Sequence, residues 1–198
     1  MSDRGVQRAI CEPANSAGGD PMPIRRPQAV VIGDTDAAPD QLHLAEAVGA
    51  LIAQLGMTLI TGGRGGVMEA AARGAAGAGG TTVGIVPSAD PADANAWCQI
   101  AIPTGMGHAR NALTALAGDV VIVIGGAAGT LSEIAFAWMS GRPIVVLAGS
   151  GGWADEMARR PPDARQSSSI TACSDTIAVE ATLREICAAR NLALAAPA

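Results

Sequence analysis

Apolar residues fall along this chain in short uninterrupted runs, separated by longer stretches in which they recur every third or fourth position. The runs AVVIG (29–33), MTLIT (57–61), TVGIV (82–86), CQIAI (98–102), VVIVI (120–124) and PIVVL (143–147), with a weaker TIAV (176–179), predict strands. Apolar at successive positions, they suit strands covered on both faces, as in parallel sheets. Helices are predicted between them at 40–55, 66–78, 107–117, 130–140 and 181–190. In QLHLAEAVGALIAQLG, for example, Leu42, Ala45, Val48, Leu51 and Ile52 make one face at i, i+3, i+4 spacing, and Gly56 supplies a stop. Alternating strands and helices joined by right-handed crossovers predict a Rossmann-like three-layer αβα sandwich, with a mostly parallel, doubly wound sheet of about seven strands. In such sheets ligands sit beyond the carboxyl ends of the strands, near the point where strand order reverses. Function is therefore expected at strand-to-helix turns.

Residues 28–191 read as a single nucleotide- or phosphate-binding domain of this kind. Residues 1–27, polar and mixing Pro, Gly and both charge signs, read as a flexible leader, and LALAAPA (192–198) as a flexible tail. The segment 149–175, rich in Gly, Pro and Ser, reads either as a mobile lid or as plain surface.

Composition narrows the chemistry. With 49% hydrophobic and 16% charged residues, the 198-residue chain has the material for a buried core, which must be aliphatic because there is one Phe, no Tyr and three Trp. So few aromatic rings and a formal charge of −5 argue against nucleic acid as a partner. All 13 basic residues are Arg. Without lysine there is no Schiff base and hence no pyridoxal phosphate chemistry, and any phosphate must be held by Arg and by backbone N–H groups. Cys11, Cys98, Cys173 and Cys187 are widely spaced and His43 and His108 are the only histidines, so neither a metal site nor a disulfide framework is indicated. No run has the length of a signal peptide or a membrane span, which leads to the expectation of a cytoplasmic protein with reduced cysteines.

Three turns carry candidate chemistry: TGGRGGVMEAA (61–71), PTGMGHARNAL (103–113) and GGAAGTLSE (125–133). Each leads into a helix, and a helix start offers unpaired N–H groups and the positive end of a dipole. Glycine lets a phosphate reach the backbone. Gly62, Gly63 and Arg64 in the first turn, Thr104, Gly105, Arg110 and Asn111 in the second, and Gly125, Gly126, Gly129 and Thr130 in the third are the candidate ligand-binding residues, with Gly33 at the end of the first strand. That strand continues as GDTDAAPD, so the GxGxxG dinucleotide fingerprint is missing. Thr130 and Glu133 admit two readings, a capping box or, for Glu133, a carboxylate one turn beyond the phosphate seat that reaches a ribose hydroxyl or a water. Arg110 in the first turn of a helix opposes the dipole unless an anion is present, which favours an anion-binding role. His108 reads as a cap or a solvent-facing ring, and Glu69 as surface.

With these three motifs in this order, residues 28–148 resemble the Rossmann-like superfamily of molybdenum cofactor carrier proteins and Lonely Guy phosphoribohydrolases. Lonely Guy enzymes, the resemblance implies, cleave the N-glycosidic bond of cytokinin or adenosine 5′-monophosphates with PGGxGTxxE and an arginine followed by lysine. Here IGGAAGTLSE keeps Gly125, Gly126, Gly129, Thr130 and Glu133 but has Ile124 for the leading proline, and GHARN keeps Arg110 but has Asn111 for the lysine. The ARN and GTLSEIA forms look more like the carrier branch, whose members bind molybdenum cofactor or related phosphorylated pterins without turning them over. The expectation is a homodimeric or homotetrameric, carrier-like binding protein for a phosphorylated ligand, molybdenum cofactor or an AMP-like nucleotide, that requires no further cofactor. The alternative is a nucleoside 5′-monophosphate phosphoribohydrolase in which Arg110 and Glu133 are catalytic. A lysine decarboxylase, a label some relatives carry, finds no support in a lysine-free chain.

Overall fold

The computed structural model describes residues 25–164 and 168–195. Seven strands, β1 (Gln28–Gly33), β2 (Thr58–Thr61), β3 (Thr82–Val86), β4 (Ile100–Pro103), β5 (Val120–Ile124), β6 (Ile144–Leu147) and β7 (Ile170–Cys173), form one sheet in the order β4-β3-β2-β1-β5-β6-β7. Every neighbouring pair is parallel. The chain winds outward from β1 to β4, returns to lay β5 against the other side of β1, and continues to β7. Strand order therefore reverses between β1 and β5, where Gly33 lies opposite Ile124.

Six α-helices cover the sheet among the described residues: α1 (Pro39–Gln54), α2 (Val67–Gly77), α3 (Asn111–Leu116), α4 (Ala128–Met139), α5 (Gly152–Arg159) and α6 (Thr176–Ala189). Alternation along the strands sends Ala29, Val31, Val120 and Ile122 to the side of α1, α2 and α6, and Val30, Ile32, Val121 and Val123 to the side of α3, α4 and α5. Both faces of the central strands are buried, which explains their continuous apolar runs. None of the helices among the described residues is long and apolar enough to cross a membrane.

The structure departs from the sequence reading mainly after residue 148. Residues 176–179 begin α6 and are not a strand; the Asp175 carboxylate caps the helix by accepting from the Ala178 N–H at 2.9 Å. The seventh strand lies in the segment read as lid or surface, which also contains α5, held down by buried Ala154 and Met157. The predicted helix 107–117 is a 3₁₀ turn (Gly107–Arg110) followed by the short α3. Of the terminal segments, residues 1–24 and 196–198 lie outside the described residues, while Arg25 pairs with Asp119 at 2.6 Å and Leu192 and Leu194 pack on the core.

The glycines of α2 answer a packing question. A Cβ on Gly74 would stand 1.9 Å from the Glu46 carbonyl oxygen, and one on Gly49 2.0 Å from that of Ala71, so α1 and α2 cross backbone to backbone through these two glycines. Gly77, on the same helix, faces open space. Gly74→Ala is therefore expected to destabilise the fold by about 1–3 kcal/mol through overpacking. Gly77→Ala should be neutral or add about 0.5 kcal/mol through helix propensity. Urea denaturation of the two variants checks this, and equal shifts for both would contradict the proposed crossing.

Candidate phosphate-binding cleft at the strand switch point

A cleft of about 240 Å³ opens at the carboxyl ends of β1 and β5. Four turns converge on it. The β1 end supplies Gly33, Asp34 and Thr35, the β2–α2 turn contributes Arg64 with Met68 behind it, and the turn into α3 contributes Gly107, His108, Arg110 and Asn111. From the β5–α4 turn come Ala127, Gly129, Thr130 and Glu133. These are the strand ends where the topology of a doubly wound sheet leaves a crevice.

Arg110 and Glu133 dominate the cleft. They are 6% and 7% exposed, and Arg110 Nη1 lies 3.4 Å from Glu133 Oε1. Nη1 also donates to the Thr114 hydroxyl at 3.1 Å, whereas Nε is buried with no hydrogen-bond partner. An unsatisfied charged donor of this kind carries a desolvation penalty of about 1–3 kcal/mol or more. Burial acts on both members of the pair: it lowers the pKa of Arg110, and it raises that of Glu133 to about 7 although the neighbouring guanidinium pulls it back down. Glu133 therefore changes charge near neutral pH. When it is protonated, Arg110 is left without a counter-charge.

The first turn of α4 is the second positive element. Its N-cap is Ala127, which has no side chain able to accept a hydrogen bond, so the opening amides of the helix are uncapped where they face the cleft. Thr130 lies three residues inside the helix, which rules out the capping-box reading of Thr130 and Glu133 and leaves Glu133 to its ion pair. A Cβ on Gly129 would find only Asn111 Nδ2, at 4.0 Å, so this glycine keeps the approach to the helix start open. Asn111 braces the same turn, donating to the Ser132 hydroxyl at 2.8 Å and to the Gly129 carbonyl at 3.3 Å. Arg64 is exposed at the mouth of the cleft.

The structure revises the role of several other predicted residues. Gly125 and Gly126 stand at positive φ, 62° and 113°, but their amides are already taken: Gly126 N–H donates to Asp34 Oδ2 at 2.7 Å and Gly125 N–H to the Ser150 hydroxyl at 2.9 Å. Their carbonyls accept from Ala154 and Trp153 at the start of α5. These two glycines thus serve the protein's own packing, since a Cβ on Gly125 would lie 2.5 Å from Asp34 Oδ2. Gly33 is required because a Cβ there would meet the Ile124 carbonyl at 2.3 Å, and Gly62 because a Cβ would meet the Arg110 guanidinium at 2.6 Å. Gly63, at φ 70°, shapes the β2–α2 turn against Val86. Thr104 and Gly105 lie outside the lining of the cleft; the Thr104 hydroxyl donates to the Val86 carbonyl and the Gly105 N–H to that of Ser88.

Asp34, Thr35, Met68, Pro87, Gly107 and Ala127 line the cleft although the sequence did not single them out. The sequence signal at this turn was the missing fingerprint: counted from Gly33, Thr35 and Ala38 stand where a dinucleotide site has glycine. Among the described residues no group of three or more His, Cys, Asp and Glu side chains could hold a metal ion.

Comparison with known proteins agrees with this architecture. Residues 26–190 match the model of the SLOG cluster4 family. An uncharacterised protein of Archaeoglobus fulgidus is 44% identical over 117 residues, 59% of this chain and 77% of that protein. The molybdenum cofactor binding protein of the phototrophic bacterium Rippkaea orientalis superposes with a TM-score of 0.73 at 36% identity, over 82% of this chain and 98% of that one. The molybdenum cofactor carrier protein of Chlamydomonas reinhardtii gives 0.73 at 34% identity, over 83% and 99%. The chain belongs to the SLOG cluster4 family, within the Rossmann-like superfamily that includes the molybdenum cofactor carrier proteins.

Proposed function

We propose that this protein binds a phosphorylated small molecule at the β1–β5 switch point and holds it without turning it over, molybdenum cofactor or its pterin being the foremost candidate cargo. The observation that carries this reading is the buried Arg110, whose Nε has no partner, beside an uncapped helix start. The phosphate would take the opening amides of α4, with Arg110 beneath it and Arg64 closing from the rim. Gly129 admits it and Asn111 fixes the turn. The likeness to the carrier proteins of Rippkaea orientalis and Chlamydomonas reinhardtii supports the choice of cargo.

Hydrolysis of a nucleoside 5′-monophosphate is the second reading. It is favoured by one observation, the Glu133 carboxyl tuned to about 7, the range in which an acid or base works at neutral pH. Titration of the purified protein with AMP, with free adenine followed in parallel, separates the two. The carrier reading expects binding with no adenine, and Arg110→Met should weaken that binding at least 100-fold while the fold persists. Adenine release that Glu133→Ala abolishes would establish the hydrolase instead.

The pair also sets a pH dependence. The folded-state pKa of Glu133 is raised from 4.5 to about 7, so its stabilising contribution is full below about 4.5 and is lost as pH rises through about 7. Over the same interval the ionised carboxylate becomes an internal competitor for Arg110. Affinity for a phosphate monoester, measured by calorimetry at pH 6 and 8, should therefore fall with rising pH more steeply in the wild type than in Glu133→Gln. The difference between the proteins is the readout, because the ligand's own second ionisation near pH 6 acts equally on both. Parallel profiles would contradict the coupling.

The same reading extends to a homodimer or homotetramer. Leu113 and Leu116 on α3, Met139 on α4 and Ile100 and Ile102 on the edge strand β4 are 37–55% exposed, apolar surface of the kind that subunits cover. Sedimentation should give a multiple of 19.7 kDa, and Leu113→Asp with Leu116→Asp should shift it to the monomer; a wild-type monomer would refute the assembly.

A further inference from the structure

Gly125 and Gly126, consecutive and both at positive φ, stand at the strand switch point, and the Gly126 N–H is a donor available to an anion. In this protein the anion is its own. The Asp34 carboxylate, leaving the end of β1, accepts from the Gly126 N–H at 2.7 Å and from Gln41 Nε2 at 3.3 Å, and the Ser150 hydroxyl takes the neighbouring Gly125 N–H at 2.9 Å. Gln41 is itself anchored to the Ser150 carbonyl at 2.7 Å, so the side chain that steadies Asp34 is tied to the loop after β6. Asp34 also lines the cleft, together with Arg110 and the start of α4.

The cleft therefore presents an open helix start on one wall and, at the end of β1, a carboxylate held in place by a backbone amide. The α4 start is uncapped, with the unpartnered, buried Arg110 Nε beside it. The amides of the glycine pair are taken by the protein itself, that of Gly126 by the negatively charged Asp34. A ligand with one terminal phosphate needs only the α4 start. A second phosphate extending toward β1 would meet a carboxylate in place of N–H donors. We propose that Asp34 is a specificity residue that makes the site select phosphate monoesters and reject diphosphates and pyrophosphate-linked dinucleotides. This rests on the phosphate reading above and deepens it: the cargo is a monoester, whatever its organic part.

The test uses probes that do not presuppose that part. Calorimetry on the full chain would compare inorganic phosphate with pyrophosphate, and AMP with ADP and NAD. In the wild type each monophosphate is expected to bind at least tenfold more tightly than its diphosphate counterpart. Asp34→Asn keeps an oxygen for the Gly126 N–H but removes the charge, and Asp34→Gly removes the side chain. Both should narrow the preference, Asp34→Gly by tenfold or more, through tighter pyrophosphate and ADP binding with phosphate and AMP changed less than threefold. Circular dichroism melts of both variants confirm that folded protein is compared, and retention of the Asn variant's hydrogen bond keeps the test open if the Gly variant unfolds. Equal wild-type affinity for the two classes, or a preference that neither variant alters, overturns the role of Asp34 while leaving the phosphate site standing. Failure of every probe to bind overturns both.

Discussion

A guanidinium and a carboxylate, each more than nine-tenths removed from water, face one another 3.4 Å apart at the carboxyl edge of the sheet, and much of the surrounding sequence is explained by what it takes to keep them there. Gly62 is a glycine because any side chain would strike the Arg110 guanidinium. Thr114, one turn on, receives one of its protons. Glu133 reaches it from the second turn of α4, whose position is set in turn by the close approach of Gly33 to Ile124 and of Gly126 to Thr130. A buried pair of this kind is weak evidence for stability, because desolvation of both ions offsets their attraction. Its retention together with an unsatisfied Nε is better understood as a site held ready for an anion.

The pair works only because the fold brings four separate turns to one place. Reversal of strand order between β1 and β5 opens the crevice, and the parallel sheet points every following helix start toward the same edge. Of these helix starts the one at α4 is left uncapped in the cleft, while α6 is capped by Asp175 and α5 opens onto the carbonyls of Gly125 and Gly126. The open α4 start and the Arg110 guanidinium thus line the same cleft.

Much of this was legible in the sequence. Six of the seven strands announce themselves as continuous apolar runs, five because they are almost wholly buried and β4 although its edge position leaves Ile100 and Ile102 exposed, and the candidates Arg64, Arg110, Asn111, Gly129, Thr130 and Glu133 do converge on the cleft. What was not legible has physical causes. TIAV has the composition of a strand, and only the preceding Asp175, acting as a cap, makes it a helix start. The strand at Ile170–Cys173 lies at the sheet edge with two exposed residues, so it lacks the apolar run that marks the others. Gly125 and Gly126 looked like ligand-facing glycines because a glycine required by a neighbouring Asp34, about ninety residues away in sequence, carries the same letter as one required by a phosphate. Sequence shows that something comes close to such a turn; only the fold shows what.

The most direct measurement of the central claim is a crystal structure of the protein soaked with a phosphate monoester. The account predicts the phosphate oxygens on the amides of Gly129 and Thr130 and on the Arg110 guanidinium, with the Asp34 to Gly126 bond intact. A phosphate bound away from the start of α4, or one seated there while Arg110 remains engaged only with Glu133 and Thr114, would contradict it.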